Sequence, residues 1–360
     1  MLAALQGIAC GPALADAGPL GLQRIAAARG LLYGTYVRTE MIGSDPDYTR
    51  LVEREAGLVS CSCTQLRHLQ PGPARFDFSE VEANYAWASA HGIKYHGHNL
   101  IWGESAPDWL EHASDRSAAA RGLEDAVAAV CRHFAGRFDA WEVVNEAIKL
   151  GDGRPDGLRR SVYLDRIGPE YLDIAFHAAR AADPETPLVY NDFGVEYELP
   201  LQRDKRRALI RLIDGFKRRG TPIDAIGLQS HLSYGDMPSF DAKAFSGFLD
   251  ELAARGLKLL ITELDVTDRG APADIARRDA AVAEVYRRYL DAALGNTAVT
   301  TVISWGLTDR NSWITSGAAE HPEVRRSDGL PARPLPFDTN CLPKPAYVAI
   351  AEALHAAPRR

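Results

Sequence analysis

Short apolar runs recur along the chain, and most are separated by longer stretches whose apolar residues fall at helical spacing. The runs are Leu31 to Val37, Leu58 to Cys63, Tyr95 to Trp102, Trp141 to Val144, Leu188 to Asn191, Ala225 to Gln229, Leu257 to Thr262 and Thr301 to Trp305. Between them, Ala-rich segments predict helices over Glu80 to His91, Ala118 to Phe134, Glu170 to Ala182, Gln202 to Arg219, Ala242 to Arg255 and Ile275 to Leu294. A strand wetted on one side alternates apolar and polar residues. These runs are near-continuous, which is the pattern of parallel strands covered on both faces. Eight such units predict an α/β fold closed into a single (β/α)8 TIM barrel. The open alternative, a doubly wound sheet, wants a glycine-rich phosphate turn after its first strand, and Gly34-Thr35-Tyr36-Val37 is not one. The Pro-rich stretch from Pro331 to Pro336 reads as a loop leading into a docked last helix, Pro345 to His355. No linker or low-complexity tract divides the chain, so residues 18–360 form one expected catalytic domain.

Composition narrows the function more than the fold. A chain of 360 residues, 46% hydrophobic, can bury a core that needs no disulfide staples. Its cysteines, Cys10, Cys61, Cys63, Cys131 and Cys341, are odd in number and lack CxxC pairs. They are therefore read as small apolar residues rather than a framework or a zinc knuckle. A net charge of -7 without a basic stripe argues against a nucleic-acid partner. No later apolar stretch is long enough to span a bilayer, so no membrane partner is expected. Residues 1–17 are Ala-rich and apolar and include Ala13-Leu14-Ala15, the shape of a signal cleavage site, although no Lys or Arg precedes the run. Export, to the medium or the periplasm, is the expectation, as is a monomer.

Carboxylates then stand out at strand ends, where barrel enzymes carry their chemistry. The fourth run continues into Val144-Asn145-Glu146, and the seventh into Thr262-Glu263. Strands four and seven lie almost opposite each other around an eight-stranded ring. Glu146 and Glu263 can therefore face across the mouth as acid/base and nucleophile of a retaining glycosidase, which needs carboxyls roughly 5–5.5 Å apart. One glutamate at a strand end ordinarily serves a salt bridge with a loop arginine; two in facing positions are harder to dismiss. Asn145 is placed to meet a sugar 2-hydroxyl, and Gln229 and His231 follow strand six, where His231 can reach Glu263. Trp102, Trp305 and Trp313 follow strands three and eight as sugar platforms. His96 and His98 share a face of strand three. As metal ligands they lack an evident third partner, and His98 is read as a sugar contact.

The segment Phe138-Asp139-Ala140-Trp141-Glu142-Val143-Val144-Asn145-Glu146-Ala147 resembles the acid/base signature of glycoside hydrolase family 10, the β-1,4-xylanase family. Ile261-Thr262-Glu263-Leu264-Asp265 resembles its nucleophile signature. Gly97-His98-Asn99-Leu100-Ile101-Trp102, Tyr190-Asn191-Asp192-Phe193, Gly227-Leu228-Gln229-Ser230-His231, Trp305-Gly306-Leu307-Thr308-Asp309 with Trp313, and Pro343-Lys344-Pro345-Ala346-Tyr347 follow in the family's order. The resemblance spans about Gly34 to Leu354. It implies a (β/α)8 barrel, retaining endo-1,4-β-xylanase chemistry on xylan or xylo-oligosaccharides, and neither metal nor cofactor. It also implies a xylose unit held by His98, Trp102, Asn145, Gln229, His231, Trp305 and Trp313.

The pattern breaks at the end of strand two. There the family carries Glu, Asn and Lys that grip the sugars on the non-reducing side, and this chain has Cys61, Ser62 and Gln65. After Trp102 the family's His-Ser-Gln becomes Gly103-Glu104-Ser105. Glu104 and Arg67 are candidate replacements for the lost contacts. The alternative function is thus a retaining β-glycosidase of the same family acting on short, decorated or non-xylan β-glycosides. A binding protein without turnover would be expected to break the catalytic pair, and both glutamates are present.

Overall fold

The computed structural model describes residues 21–72, 75–316 and 321–360, so the expected leader at 1–17 lies outside the described residues. Eight parallel strands form the barrel: β1 (Leu32–Tyr36), β2 (Leu58–Cys61), β3 (Lys94–Gly97), β4 (Ala140–Asn145), β5 (Leu188–Asp192), β6 (Ala225–Leu228), β7 (Lys258–Thr267) and β8 (Val299–Ser304). Each pairs with its neighbours in sequence, and β8 pairs with both β7 and β1, which closes the ring.

Two strands differ from the runs read in the sequence, and both differences bear on the site. The third run is broken: β3 stops at Gly97, and a two-residue strand, Ile101–Trp102, pairs separately with β4. The seventh is longer than the expected end at Thr262. It continues to Thr267 because a short strand, His231–Ser233, pairs with it above the rim, His231 opposite Asp265. Glu263 and Asp265 therefore sit within a strand, both almost fully buried, rather than just after one.

Helices wrap the ring, and several begin earlier than the apolar pattern suggests. An aspartate caps one of them: Asp115 accepts from the Ala118 amide at 2.8 Å, so that helix starts at Arg116 rather than Ala118. A helix over Pro46–Glu55 was not read in the sequence, although Asp45 as its cap and Pro46 in its first turn were visible signals. The main core lies between the barrel and this helical coat. A smaller cluster, Ala140, Val189, Ala225 and Leu260, lies at the strands' entry ends. At that end opens a cavity of about 690 Å³, lined among others by Asp139, Lys258 and Thr301. It is remote from the glutamates, which stand at the opposite, C-terminal rim.

Candidate active site

Glu146 is the first residue past β4 and has a left-handed backbone, φ 57°. A non-glycine residue there is strained by about 1 kcal/mol or more. Its amide nevertheless extends the sheet ladder, donating to the Asn191 carbonyl at 2.9 Å. The carboxylate accepts from Gln229 Nε2 at 2.9 Å on Oε1 and from Trp102 Nε1 at 3.0 Å on Oε2. Arg159 Nη2 reaches the same Oε2 at 2.8 Å. Burial pushes the Glu146 pKa above the ordinary carboxylate value; Gln229 and Arg159 oppose this, and the charges of Asp192 and Glu263 add to it.

Glu263 has a different setting. Asn191 Nδ2 donates to its Oε1 at 2.8 Å, and His231 Nε2 donates to its Oε2 at 3.1 Å. The other nitrogen of His231 meets Asp265 Oδ1 at 2.9 Å, and Trp313 Nε1 donates to Asp265 Oδ2 at 2.6 Å. Burial alone would push the His231 pKa down, but Asp265 and then Glu263 outweigh it, and the imidazole is held protonated well above its usual range. The second carboxylate thus faces a cation that is itself anchored from behind.

An amide chain joins the two settings. Asn145 Oδ1 accepts from Asn191 Nδ2 and from Gln229 Nε2, both at 3.0 Å. With its oxygen so occupied, Asn145 turns its Nδ2 towards Glu146 Oε1, 3.4 Å away. Thr262 Oγ1 donates to Asn191 Oδ1 at 2.7 Å and fixes that amide's orientation. The arrangement needs Gly227 on β6: an added Cβ would lie 2.9 Å from Thr262 Cγ2 and would collide with the Asn191 carboxamide.

Beneath the mouth lies the third group that the sequence reading did not find for His96 and His98. Glu142 Oε1 meets His96 Nε2 at 2.8 Å, and its Oε2 meets His98 Nδ1 at 2.7 Å. His98 also lies 3.9 Å from Glu263. Burial disfavours its charge, yet the Glu142 charge raises its pKa to about 9. His98, Glu142 and Glu263 each offer a ligand atom within 4.8 Å of the others, a cation's spacing. The imidazole nitrogen between those carboxylates carries a proton rather than a free lone pair, so the cluster is built for hydrogen bonding.

Tryptophans form the walls. The Trp305 ring centroid lies 4.9 Å from that of His98 and 6.1 Å from that of His231, and Trp313 stands edge-on to His231 at 5.3 Å. The nine residues assigned from the sequence to catalysis or sugar binding therefore meet in one region. Asn191, Asp265, Glu142 and Arg159 belong to it as well. The first three lay within motifs already noted, without a role. Arg159 carried no signal, because a loop arginine acquires meaning only from what the fold brings to it.

The end of β2 departs from the reading of the cysteines. Cys61 and Cys63 form a disulfide on either side of Ser62, and Tyr95 Oη lies 3.0 and 3.3 Å from their sulfurs. The strand ends at Cys61 and the chain turns into a 3-10 helix over Ser62–Thr64, which brings the two cysteine Cα atoms to 5.4 Å and lets the pair meet. Tyr36, from β1, packs against Trp305 at 4.3 Å and places its hydroxyl 3.4 Å from Ser62 Oγ. Of the two candidate replacements, Arg67 is exposed, and Glu104 pairs with Arg159 beside Glu146 instead.

A closed parallel barrel with two carboxylates at facing strand ends, one partly buried beside amide and indole donors and one buried beside an imidazolium, defines a (β/α)8 glycoside hydrolase. The chain belongs to glycosyl hydrolase family 10, whose sequence pattern it matches over residues 21–353. It is 34% identical over 289 residues to endo-1,4-beta-xylanase B of Thermotoga neapolitana, covering 79% of this chain and 77% of that one. It is 31% identical over 345 residues to endo-1,4-beta-xylanase 5 of Pyricularia oryzae, with 94% and 80% covered. Among solved structures, native xylanase 10B from Thermotoga maritima superposes with a TM-score of 0.81 at 29% identity, covering 93% of this chain and 98% of that one. Xylanase 10B from Thermotoga petrophila in complex with xylobiose gives 0.81 at 28% identity, with 94% and 98% covered.

Proposed function

We propose that the protein is a retaining endo-1,4-β-xylanase in which Glu263 is the nucleophile and Glu146 the acid/base. The observation that carries the reading is the contrast between the two carboxylates: burial keeps Glu146 protonated to higher pH, whereas Glu263 accepts a hydrogen bond from a protonated His231. A proton donor and an ionised nucleophile are what double displacement requires. Glu263 attacks the anomeric carbon as Glu146 gives its proton to the leaving glycosidic oxygen. Glu146, now ionised, then takes a proton from water, which attacks the glycosyl-enzyme bond. Asn145 presents its Nδ2 to the 2-hydroxyl of the sugar under attack, while Trp305 and Trp313 bound that sugar's faces.

A polymeric substrate supports export, which fractionation of the producing cells for activity would test. The decisive assay is digestion of linear β-1,4-xylan with products resolved by length, Glu263→Ala serving as the blank. A ladder of short xylo-oligosaccharides absent from the blank is expected. No product from xylan, together with turnover of a small β-xyloside, would favour the second reading, a glycosidase for short or decorated β-glycosides. That reading draws on the end of β2, where Cys61, Ser62 and Gln65 offer no charged grip.

A further inference from the structure

Arg159 lies in the loop between β4 and the helix Val162–Ile167 and is 4% exposed. All three of its guanidinium nitrogens are engaged, two by Glu146 and one by Glu104. Nε donates to the backbone carbonyl of Glu146 at 2.7 Å, and Nη2 to Glu146 Oε2 at 2.8 Å. Nη1 forms an ion pair with Glu104, whose side chain is 52% exposed at the rim. Gly103 makes this possible: a Cβ there would lie 2.8 Å from Arg159 Cδ and 3.1 Å from Ser161 Cβ, displacing the arginine. Gly103, Glu104 and Arg159 thus form one device built onto the acid/base carboxylate.

The charges around Glu146 come from several elements. Arg159 approaches from the loop after β4, Asp192 from β5, Glu263 from β7 and the protonated His98 from beyond β3. Trp102 and Gln229 contribute uncharged donors. A cation in direct contact favours the ionised carboxylate, which suits the water-activating step but works against the proton-donating one. Glu104 shares that cation and weakens its pull.

We propose that Arg159 is a positioning residue that orients the Glu146 carboxylate, and that Glu104, as its counter-charge, sets the pH at which Glu146 loses its proton. The proposal rests on the reading of Glu146 as acid/base. Removing the Glu104 charge leaves Arg159 acting on Glu146 alone, so Glu146 ionises at lower pH. Removing the Arg159 charge has the opposite effect.

The test is a carbon-13 NMR titration of full-length enzyme labelled at glutamate carboxyls, with Glu146 assigned by the loss of its resonance in Glu146→Gln. This measurement needs no substrate. Glu104→Gln is expected to lower the Glu146 pKa by about half a unit to one unit, and Arg159→Met to raise it by about one unit. The upper limb of kcat/KM against pH on xylohexaose should move in step. Arg159→Lys keeps the charge but not the three-way fork, so kcat should fall about tenfold with the limb little moved. A Glu146 titration unchanged in Glu104→Gln, or moved upward, would overturn the proposal. Should Arg159→Met fail to fold, Glu104→Gln, altered at a half-exposed side chain, decides alone. The expected titration shifts in an enzyme inert on xylan would uphold the device and reject the xylanase reading.

Discussion

Glu146 and Glu263 differ in the step each serves, and leaving-group chemistry separates them. Departure of an activated phenolate needs little protonation, whereas departure of a sugar needs nearly full protonation. Glu146→Ala should therefore lose about a hundredfold to ten-thousandfold on xylo-oligosaccharides, yet retain most of the glycosylation rate on a dinitrophenyl xylobioside. Glu263→Ala should abolish turnover of both. Pre-steady-state release of the phenolate measures glycosylation directly, and equal damage to both substrates in Glu146→Ala would reverse the assigned roles. The two glutamates were legible in the sequence because each follows a strong apolar run. Arg159 was not, and Glu104 was read only as a candidate for the lost sugar contacts, since no local pattern says that a glycine at position 103 leaves space for an arginine from another loop.

Elements carry a second ionic bond with a pH signature. Glu142 on β4 meets His96 on β3 and His98 just beyond it, so its carboxylate ties two neighbouring strands through side chains where their ladder is short. The folded-state pKa of His98, about 9, lies above its ordinary 6.5, so its contribution to stability is complete below 6.5 and lost as pH rises through 9. The size of that loss is on the order of 3 kcal/mol. Urea unfolding midpoints should fall between pH 6.5 and 9 in the wild type and fall less in His98→Gln. Equal slopes would mean that His98 carries no folding-linked proton. At this scale the eight runs foretold eight strands, because a continuous apolar stretch bounded by turns reports burial on both faces. The split after Gly97 and the extension of β7 to Thr267 were hidden, for both depend on partners chosen in three dimensions.

Across the whole molecule, the mouth is bounded unequally. Trp102, Gln229 and Arg159 gather around Glu146, whereas Trp305 flanks His98 and His231 on the Glu263 side. Tyr36 packs on Trp305 and reaches Ser62, so Tyr36, Ser62 and the Cys61–Cys63 bridge form a wall at the end of β2. That wall offers hydroxyls and sulfur but no charged donor. Each missing charged hydrogen bond is worth about 1.5–3 kcal/mol, or roughly ten- to a hundredfold in binding. A second sugar on that side should therefore add little: kcat/KM for an aryl β-xylobioside should exceed that for the aryl β-xyloside by less than about tenfold. Lengthening unmodified xylo-oligosaccharides should then raise kcat/KM mainly through units beyond the cleaved bond, which reducing-end labelling of the products resolves. A gain of a hundredfold or more from the second glycone sugar would show that Tyr36, Ser62 and Gln65 grip it as firmly as charged groups would.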